Sequence, residues 1–295
     1  MRTSTAAVLG TLAAGAAGLA YARWEAQSYR LRRVSTAVLS PGQPEMRILH
    51  LSDLHLVPGQ TKKQDWVASL RDLRPDAVVA TGDFLSHQDA VPLVLDTLDP
   101  MFDLPGAFVL GSNDYYAPRA MNPARYLAGP SQLEPNRPML PWGDLVDGLT
   151  TNGWLDLGNA RATMKVDGRH VDVRGVDDPH ISRDRYDMVS GPFDGDADLA
   201  LGVTHAPYLR ILDGMSTDGA DLILAGHTHG GQLCLPGVGA LVTNCDIDRK
   251  RAKGLSNHGE SALHVSAGLG TSPYAPVRFA CPPEATLLTL TAKER

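Results

Sequence analysis

Short apolar runs in this chain alternate with segments whose apolar residues recur at helical spacing. The runs Arg47–Ser52, Ala77–Thr81 and Ala107–Leu110 predict strands, and Trp66–Leu73 and Val91–Leu98 between them predict helices. An alternation of strands and helices indicates βαβ crossovers and a largely parallel sheet. The pattern therefore predicts an α/β fold.

The second half of the chain continues this pattern. Its predicted strands are Leu199–Val203, Leu222–Ala225, His264–Ala267 and Leu287–Leu290. Before them, Asp167-Gly168 suits a two-residue hairpin turn between strands Met164–Val166 and His170–Val176. Segment 115–161 is rich in Pro, Asn and Gly, which indicates an irregular insertion followed by a helix over Trp142–Asn152.

An uncharged run, Ala6–Ala22, lies near the start of the chain. Its 17 residues would form a helix about 25 Å long, close to the lower limit for a bilayer core of about 30 Å. A membrane anchor, a signal peptide cut after Ala22 and a helix that packs on the domain all fit this run, and we take the anchor as our prediction. By the positive-inside rule, the arginines that follow favour a cytoplasmic domain, with the extracytoplasmic side as the alternative: Arg23, Arg30, Arg32 and Arg33.

The predicted organisation therefore has three parts. Residues 1–22 form an anchor or signal-like helix, and residues 23–45 form a juxtamembrane linker with an edge strand near Val34–Leu39. Residues 46–295 form the globular domain of a single-pass membrane protein, which we expect to be a monomer.

Composition excludes several classes of function. Hydrophobic residues make up 43% of the chain and charged residues 20%, which is typical of a globular protein. The net charge of −6 leaves no basic footprint for a nucleic-acid backbone, so we expect no nucleic-acid partner. The three cysteines form no CxxC pair, which excludes a disulfide framework and a thiolate zinc site.

Metal-binding side chains follow five of the predicted strands: Asp53, Asp83, Asn113, His205 and His227. Ligands of open α/β sheets bind beyond the carboxyl ends of the strands, so these side chains should converge. His55 and His229 each stand two residues after another ligand, which puts both members of a pair on one side of an extended segment. The set mixes oxygen donors with imidazoles, and therefore suits Mn, Fe, Zn or Ni better than Ca²⁺.

Seven candidate ligands are too many for one tetrahedral metal and suit two divalent ions that share a carboxylate. Asp83, alone on its Gly-Asp turn, is the predicted bridge. A lone Asp or His after a strand is usually a cap or a structural residue, but the ordered set favours a metal site. The other histidines fit no such pattern and are interpreted as structural or surface residues: His50, His87, His170, His180, His258 and His264.

The ordered motifs resemble those of the calcineurin-like metallophosphoesterases over about residues 46–292. The motifs are Asp53-Leu54-His55, Gly82-Asp83, Gly111-Ser112-Asn113-Asp114, Thr204-His205 and Gly226-His227-Thr228-His229-Gly230-Gly231-Gln232. The resemblance implies a four-layer αββα sandwich of two mixed sheets. Later runs and the N-terminal helix are similar to a membrane-associated bacterial branch that includes UDP-2,3-diacylglucosamine pyrophosphatase-type enzymes: Gly268-Leu269-Gly270-Thr271-Ser272 and Val277-Arg278-Phe279.

The resemblance also implies roles for individual residues. Asp53, His55 and His229 would bind the first metal, Asp83 would bridge, and Asn113, His205 and His227 would bind the second. Gly230 and Gly231 would let the backbone approach the substrate closely.

One motif departs from the family pattern. The family usually has Gly-Asn-His followed by Asp or Glu, whereas this chain has Gly111-Ser112-Asn113-Asp114. If the run is aligned with the family pattern without a gap, Ser112 replaces the metal-binding Asn. If the alignment is shifted by one residue, Asn113 keeps that role. We prefer the shifted alignment because an amide oxygen is a better ligand than a neutral hydroxyl. In both alignments the His that protonates the leaving group is missing, and Asp114 or a water molecule would replace it.

The predicted function is hydrolysis of a phosphodiester or pyrophosphate bond at a dinuclear metal site, with catalytic residues Asp83, Asn113 and Asp114. The expected substrate is a lipid-linked or nucleotide-sugar phosphate at the membrane. Two alternatives stay open: a degenerate scaffold that binds metal and phosphate with little activity, and a phosphomonoesterase.

Overall fold

The computed structural model describes residues 2–120 and 136–294, with side chains from residue 13 onward. The helices in these ranges are α1 (Arg2–Glu25), α2 (Thr61–Ala68), α3 (Ala90–Leu98), α4 (Ser112–Tyr115), α5 (Trp142–Thr151) and α6 (Leu209–Thr217). The strands are β1 (Arg30–Leu39), β2 (Met46–Leu51), β3 (Ala77–Ala80), β4 (Gly106–Phe108), β5 (Leu155–Asp156), β6 (Ala160–Val166), β7 (Arg169–Gly175), β8 (Leu199–Val203), β9 (Leu222–Ala225), β10 (Cys234–Leu235), β11 (Gly239–Ala240), β12 (Gly254–His258), β13 (Ser261–Val265) and β14 (Glu284–Ala292).

The described strands form two six-stranded mixed sheets and a small hairpin of β10 and β11. The first sheet has the order β1-β14-β2-β3-β4-β5, and only β14 and β2 are antiparallel neighbours. The second has the order β12-β13-β9-β8-β7-β6, with a parallel centre and one antiparallel strand at each edge. The prediction of a largely parallel α/β fold is thus refined to two mixed sheets.

Alternating residues of each strand send their side chains to opposite faces of the sheet, and this alternation builds the layers. In β2, Ile48 faces the second sheet, whereas Leu49 and Leu51 face α2, α3 and α5. On the far side of the second sheet, α6 covers the apolar face with Ile211 and Leu212. The order of layers is therefore helices, sheet, sheet, helix, and it places the core between the sheets and under each helical layer.

Most predicted strands are present, with changed limits. β14 is longer than the predicted Leu287–Leu290, and β13 begins and ends earlier than the predicted His264–Ala267. The hairpin turn is as expected, since Asp167 and Gly168 both have positive φ. Of the predicted irregular insertion, residues 121–135 lie outside the described residues.

The N-terminal segment differs from its prediction. Helix α1 continues past Ala22 to Glu25, and its end packs on the domain, where Ala22 and Glu25 are buried. Strand β1 begins at Arg30 and pairs with β14, so much of the predicted linker belongs to the first sheet. Among residues 2–120 and 136–294, no helix is both long and apolar enough to cross a membrane. The predicted anchor over residues 1–22 thus lacks support in the observed helix, whose run is rich in Ala and Gly.

Candidate metal centre

The predicted ligands lie where strands of both sheets end. Asp53 and Asp83 follow β2 and β3 of the first sheet, and His205 and His227 follow β8 and β9 of the second. The sheets meet at this edge, where Nδ1 of His205 lies 2.6 Å from the carbonyl oxygen of Thr81. The backbone N–H of His227 donates to Oδ2 of Asp53 at 3.1 Å. These contacts bring residues far apart in sequence into one site.

Four of the predicted ligands form one cluster: Asp53, His55, Asp83 and His229. One ligand atom of each lies within 4.8 Å of the others. Nε2 of His55 is 3.3 Å from Nε2 of His229 and 3.4 Å from Oδ2 of Asp83. Nε2 of His229 is 3.5 Å from Oδ1 of Asp53. Buried polar atoms converge in this way when a cation can lie between them.

The remaining histidine ligands, His205 and His227, also lie beside Asp83. Nε2 of His205 is 3.6 Å from Oδ2 of Asp83 and 3.3 Å from Nδ1 of His227. Asp83 therefore faces both groups of residues. A carboxylate in this position can serve two cations, which is the role predicted for it.

The backbone at this site is strained. Five predicted ligands have φ in the left-handed region, which non-glycine residues seldom adopt: Asp53 (51°), His55 (45°), Asp83 (54°), His227 (68°) and His229 (49°). Such conformations cost about 1–3 kcal/mol each and concentrate at functional sites, where surrounding contacts enforce them. The folded state is therefore less stable than it would be with relaxed backbone at these positions, and in return these side chains point inward.

One carboxylate oxygen in this site shows that the residues present fit a metal. Within the described part of the chain, Oδ1 of Asp53 is buried and has no hydrogen-bond partner. Its other oxygen accepts from Ser52 and from the N–H of His227. A buried carboxylate oxygen without a donor is costly unless a cation satisfies it. The donor set therefore fits a divalent metal held by Asp53, His55, Asp83 and His229.

Contacts behind the imidazoles orient them as ligands. Nδ1 of His205 donates to Thr81 O, and Nε2 of His227 donates to Asn244 O at 3.1 Å. Nδ1 of His55 lies 2.9 Å from the hydroxyl of Ser86. The opposite ring nitrogens, which face the centre, then carry the lone pairs that a metal needs.

Burial and neighbouring charges set the protonation of these groups. Burial lowers the pKa of His55 to about 4 and holds the pKa values of His227 and His229 well below the usual value. Burial raises the pKa of Asp53 to about 6. Burial also opposes ionisation of Asp83, but His205, His55 and two donors from Asn113 hold its pKa below the usual value. Burial opposes protonation of His205, but Asp83, Asp178 and Asp53 raise its pKa to about 9. A neutral imidazole and an ionised carboxylate are the forms that bind metal, so His205 must give up a proton when metal binds.

Asp114 is not placed as the predicted substitute acid. Its Oδ2 accepts from the N–H groups of Asp83 and Gly111, and its Oδ1 accepts from those of Phe84 and Leu85, all within 3.0 Å. Asp114 is fully buried. Burial raises its pKa to about 7, and the backbone donors act in the opposite direction. With both oxygens occupied, this side chain acts as a clamp on the loop that carries Asp83.

Asn113, rather than Ser112, contacts the predicted bridge. Its backbone N–H and its side-chain amide donate to the two oxygens of Asp83, both at 2.8 Å. These contacts place Asn113 beside the predicted bridge, and its role as a metal ligand stays a prediction. Ser112 is buried at the start of α4.

Gly230 and Gly231, predicted to approach the substrate, face the protein interior. A Cβ at Gly230 would lie 2.8 Å from Sγ of Cys281, and one at Gly231 would lie 2.5 Å from Cβ of Ala240. Their N–H groups donate to the side chain and backbone of Thr228. Both glycines therefore serve the tight turn after His229.

Two residues beside the ligands, His180 and Arg278, were not predicted to support the site, although Arg278 belongs to the Val277-Arg278-Phe279 run. The ring of His180, set aside as structural, lies 4.5 Å from the ring of His227, and its Nδ1 is 3.1 Å from the hydroxyl of Tyr208. Arg278 is fully buried beside His229 and donates to the carbonyls of Ala267 and Gly270, both at 2.8 Å. Only the fold shows that these side chains support ligands.

The fold and site together define a class of protein: two mixed sheets that hold divalent-metal ligands at a shared edge. Sequence comparison gives the family. The profile described as "Calcineurin-like phosphoesterase" matches residues 46–231. The chain therefore belongs to the calcineurin-like phosphoesterase family, and it is a phosphoester hydrolase.

The chain is similar to several named proteins. It is 27% identical to the uncharacterized metallophosphoesterase YkoQ of Bacillus subtilis, over 83% of this chain and 84% of that protein. It is 26% identical to the phosphodiesterase YaeI of Escherichia coli, over 97% and 96%. It is 27% identical to a transmembrane protein with metallophosphoesterase domain of Danio rerio, over 83% of this chain and 53% of that protein.

Proposed function

We propose that this protein hydrolyses a phosphodiester or pyrophosphate bond at two divalent metals that share Asp83. The observation that carries the proposal is the buried cluster of Asp53, His55, Asp83 and His229, with ligand atoms within 4.8 Å of one another. The contact of Nε2 of His205 with Oδ2 of Asp83, at 3.6 Å, supports the second metal.

Bound metals would activate a water and neutralise charge on the phosphoryl group. The chain's own residues prepare the site for that chemistry. Thr81 and Asn244 hold the rings of His205 and His227 in one tautomer. Asn113 holds both oxygens of Asp83 and so fixes the orientation of the shared carboxylate. These groups are ordered before substrate arrives, which lowers the cost of reaching the transition state.

We further propose that the substrate has a good leaving group. Neither Asn113 nor Asp114 can readily donate a proton to it: Asn113 is a neutral amide, and Asp114 has both oxygens on backbone N–H groups. A placed general acid contributes about 10²–10⁴-fold, and it matters least where the leaving oxygen is stable as an anion. Diphosphates and activated diesters fit that requirement. The similarity to phosphodiesterase YaeI supports a diester substrate. The transmembrane relatives support a site of action at a membrane, where a lipid-linked substrate would be found.

The test combines metal analysis with a substrate panel. Purified full-length protein is expected to contain bound Mn, Fe, Zn or Ni and to hydrolyse bis-(p-nitrophenyl) phosphate or a nucleotide-sugar diphosphate faster than p-nitrophenyl phosphate. Asp83→Asn should lose bound metal and at least about 10³-fold in turnover. The matched control Asp96→Asn, on the exposed face of α3, should behave as wild type. Wild-type turnover in Asp83→Asn would refute the bridge, and a preference for the monoester would identify a phosphomonoesterase instead.

A further inference from the structure

Exposed apolar side chains form a continuous surface beside the metal centre. On α1, Tyr21 and Trp24 are 43% and 60% exposed, and on the β10–β11 hairpin Leu233, Leu235 and Val238 are 44%, 49% and 70% exposed. Phe279 joins the two parts, because its ring packs edge-on against Tyr21 and its backbone bridges to Leu233. Large apolar groups that cluster on a surface usually mark an interaction site.

The hairpin is built with two different faces. Leu233 and Leu235 alternate with Cys234, which is buried and donates to the carbonyl of Gly230 at 3.2 Å. The inner face therefore packs on the turn that follows His229, while the outer face is exposed. Between His229 and Asp246 the sequence has no charged side chain. Among residues 13–120 and 136–294, no side chain covers the outer face of this hairpin.

Basic residues border this surface on both sides. Arg23 and Arg30 are exposed at the end of α1 and the start of β1. Arg249 and Lys250 are exposed on the short turn that contacts β11, after the exposed Asp246 and after Asp248, which pairs with Arg251. Exposed Trp and Tyr next to Arg and Lys are typical of surfaces that lie in the headgroup region of anionic membranes.

We propose that Tyr21, Trp24, Leu233, Leu235 and Val238 form a bilayer-docking surface that rests on anionic lipid. The hairpin tip enters the headgroup layer, and the end of α1 lies beside it. The turn from His229 to Gly231 runs directly into the hairpin, and Gly231 packs against Ala240 of β11. Docking would therefore present the metal centre to a phosphate at the membrane surface. The choice of substrate rests on the proposed function, but the docking itself does not.

Local fluorescence tests the docking without using activity. Val238→Cys in the full-length chain is labelled with an environment-sensitive fluorophore; the native Cys234, Cys245 and Cys281 are all buried. The matched control is Met188→Cys, 59% exposed and away from the hairpin. With vesicles of equimolar phosphatidylcholine and phosphatidylglycerol, the label at position 238 should shift to the blue and brighten at least about twofold, while the label at 188 stays unchanged.

Two further measurements identify what binds to this surface. Vesicles of phosphatidylcholine alone should bind at least about tenfold more weakly, and Leu235→Asp should weaken binding to anionic vesicles by about tenfold. An unchanged label at position 238, or equal shifts at 238 and 188, would overturn the proposal. A shift that depends on protein concentration without vesicles would overturn it in favour of a second copy. Hydrolysis of a soluble diester, measured separately, shows whether the proposed function fails on its own.

Discussion

Asp114→Asn tests whether this residue is a clamp or an acid. The carboxylate accepts four backbone hydrogen bonds, two at each oxygen, from Gly111 and from the loop Asp83–Leu85. Asparagine keeps the shape and removes one acceptor. Whichever way the amide turns, its NH₂ group faces two backbone N–H donors. The substitution therefore leaves two buried donors without an acceptor.

The magnitude follows from the number of bonds lost. A buried donor left unsatisfied costs about 1–3 kcal/mol, so two cost about 2–6 kcal/mol. The substitution also removes the cost of burying a carboxylate, which offsets part of this loss. We therefore expect the free energy of unfolding to fall by about 3 kcal/mol in total. With an m value of about 3 kcal/mol/M for urea, the midpoint should fall by about 1 M.

Urea unfolding of metal-free protein, followed by circular dichroism, measures the change. Asp96→Asn is the matched control and should shift stability by less than about 0.5 kcal/mol. Metal affinity should also fall, since the clamped loop carries Asp83. The two roles predict different results with substrates. A clamp affects good and poor leaving groups alike, whereas a general acid affects poor leaving groups most. Unchanged stability together with a selective loss on poor leaving groups would refute the clamp.

Three other predictions concern the metal centre. The carboxylates beside His205 raise its pKa to about 9, and burial raises the pKa of Asp53 to about 6. Metal affinity should therefore fall about tenfold per pH unit between pH 9 and 6, and about a hundredfold per unit just below pH 6. A flat calorimetric profile would contradict this. Gly226→Ala would place a Cβ 1.9 Å from Oγ of Ser52 and 2.7 Å from Oδ2 of Asp53. Elemental analysis should therefore show at least about tenfold weaker metal retention. The control is Gly195→Ala, which should retain metal as wild type because no described atom lies within 4 Å of the added Cβ. His180→Ala should weaken metal binding about tenfold. His180→Phe keeps an aromatic ring against His227, so its metal affinity should stay within about threefold of wild type. Equal losses in the two variants would show that packing of the ring does not support metal binding.

Much of the site could be predicted from the chain because its chemistry is local. Apolar runs form strands, and the residue after a strand lies at a sheet edge whichever sheet it joins. Asp53, Asp83, His205 and His227 could therefore be selected from their positions after such runs. The turn at Asp167-Gly168 was predictable for the same reason, since two neighbouring residues suffice to form it.

Other features depend on contacts between distant parts of the chain. Nothing near Asp114 in sequence indicates that Phe84 and Leu85 donate to it, and nothing near His180 places it against His227. The pairing of β1 with β14 joins the two ends of the chain, and it removes most of the predicted linker. Periodicity carries no information on such partners.

The sequence by itself determined which residue types could bind a metal and in what order they follow the strands. Only the tertiary structure decided that strands of two separate sheets bring their carboxyl ends together. It also decided which side chains of the Gly111–Asp114 run contact Asp83, and which of the described apolar residues near His229 stay exposed. The physical reason is that a residue type and its spacing follow from local chain geometry, whereas burial and orientation depend on all the elements that pack around it.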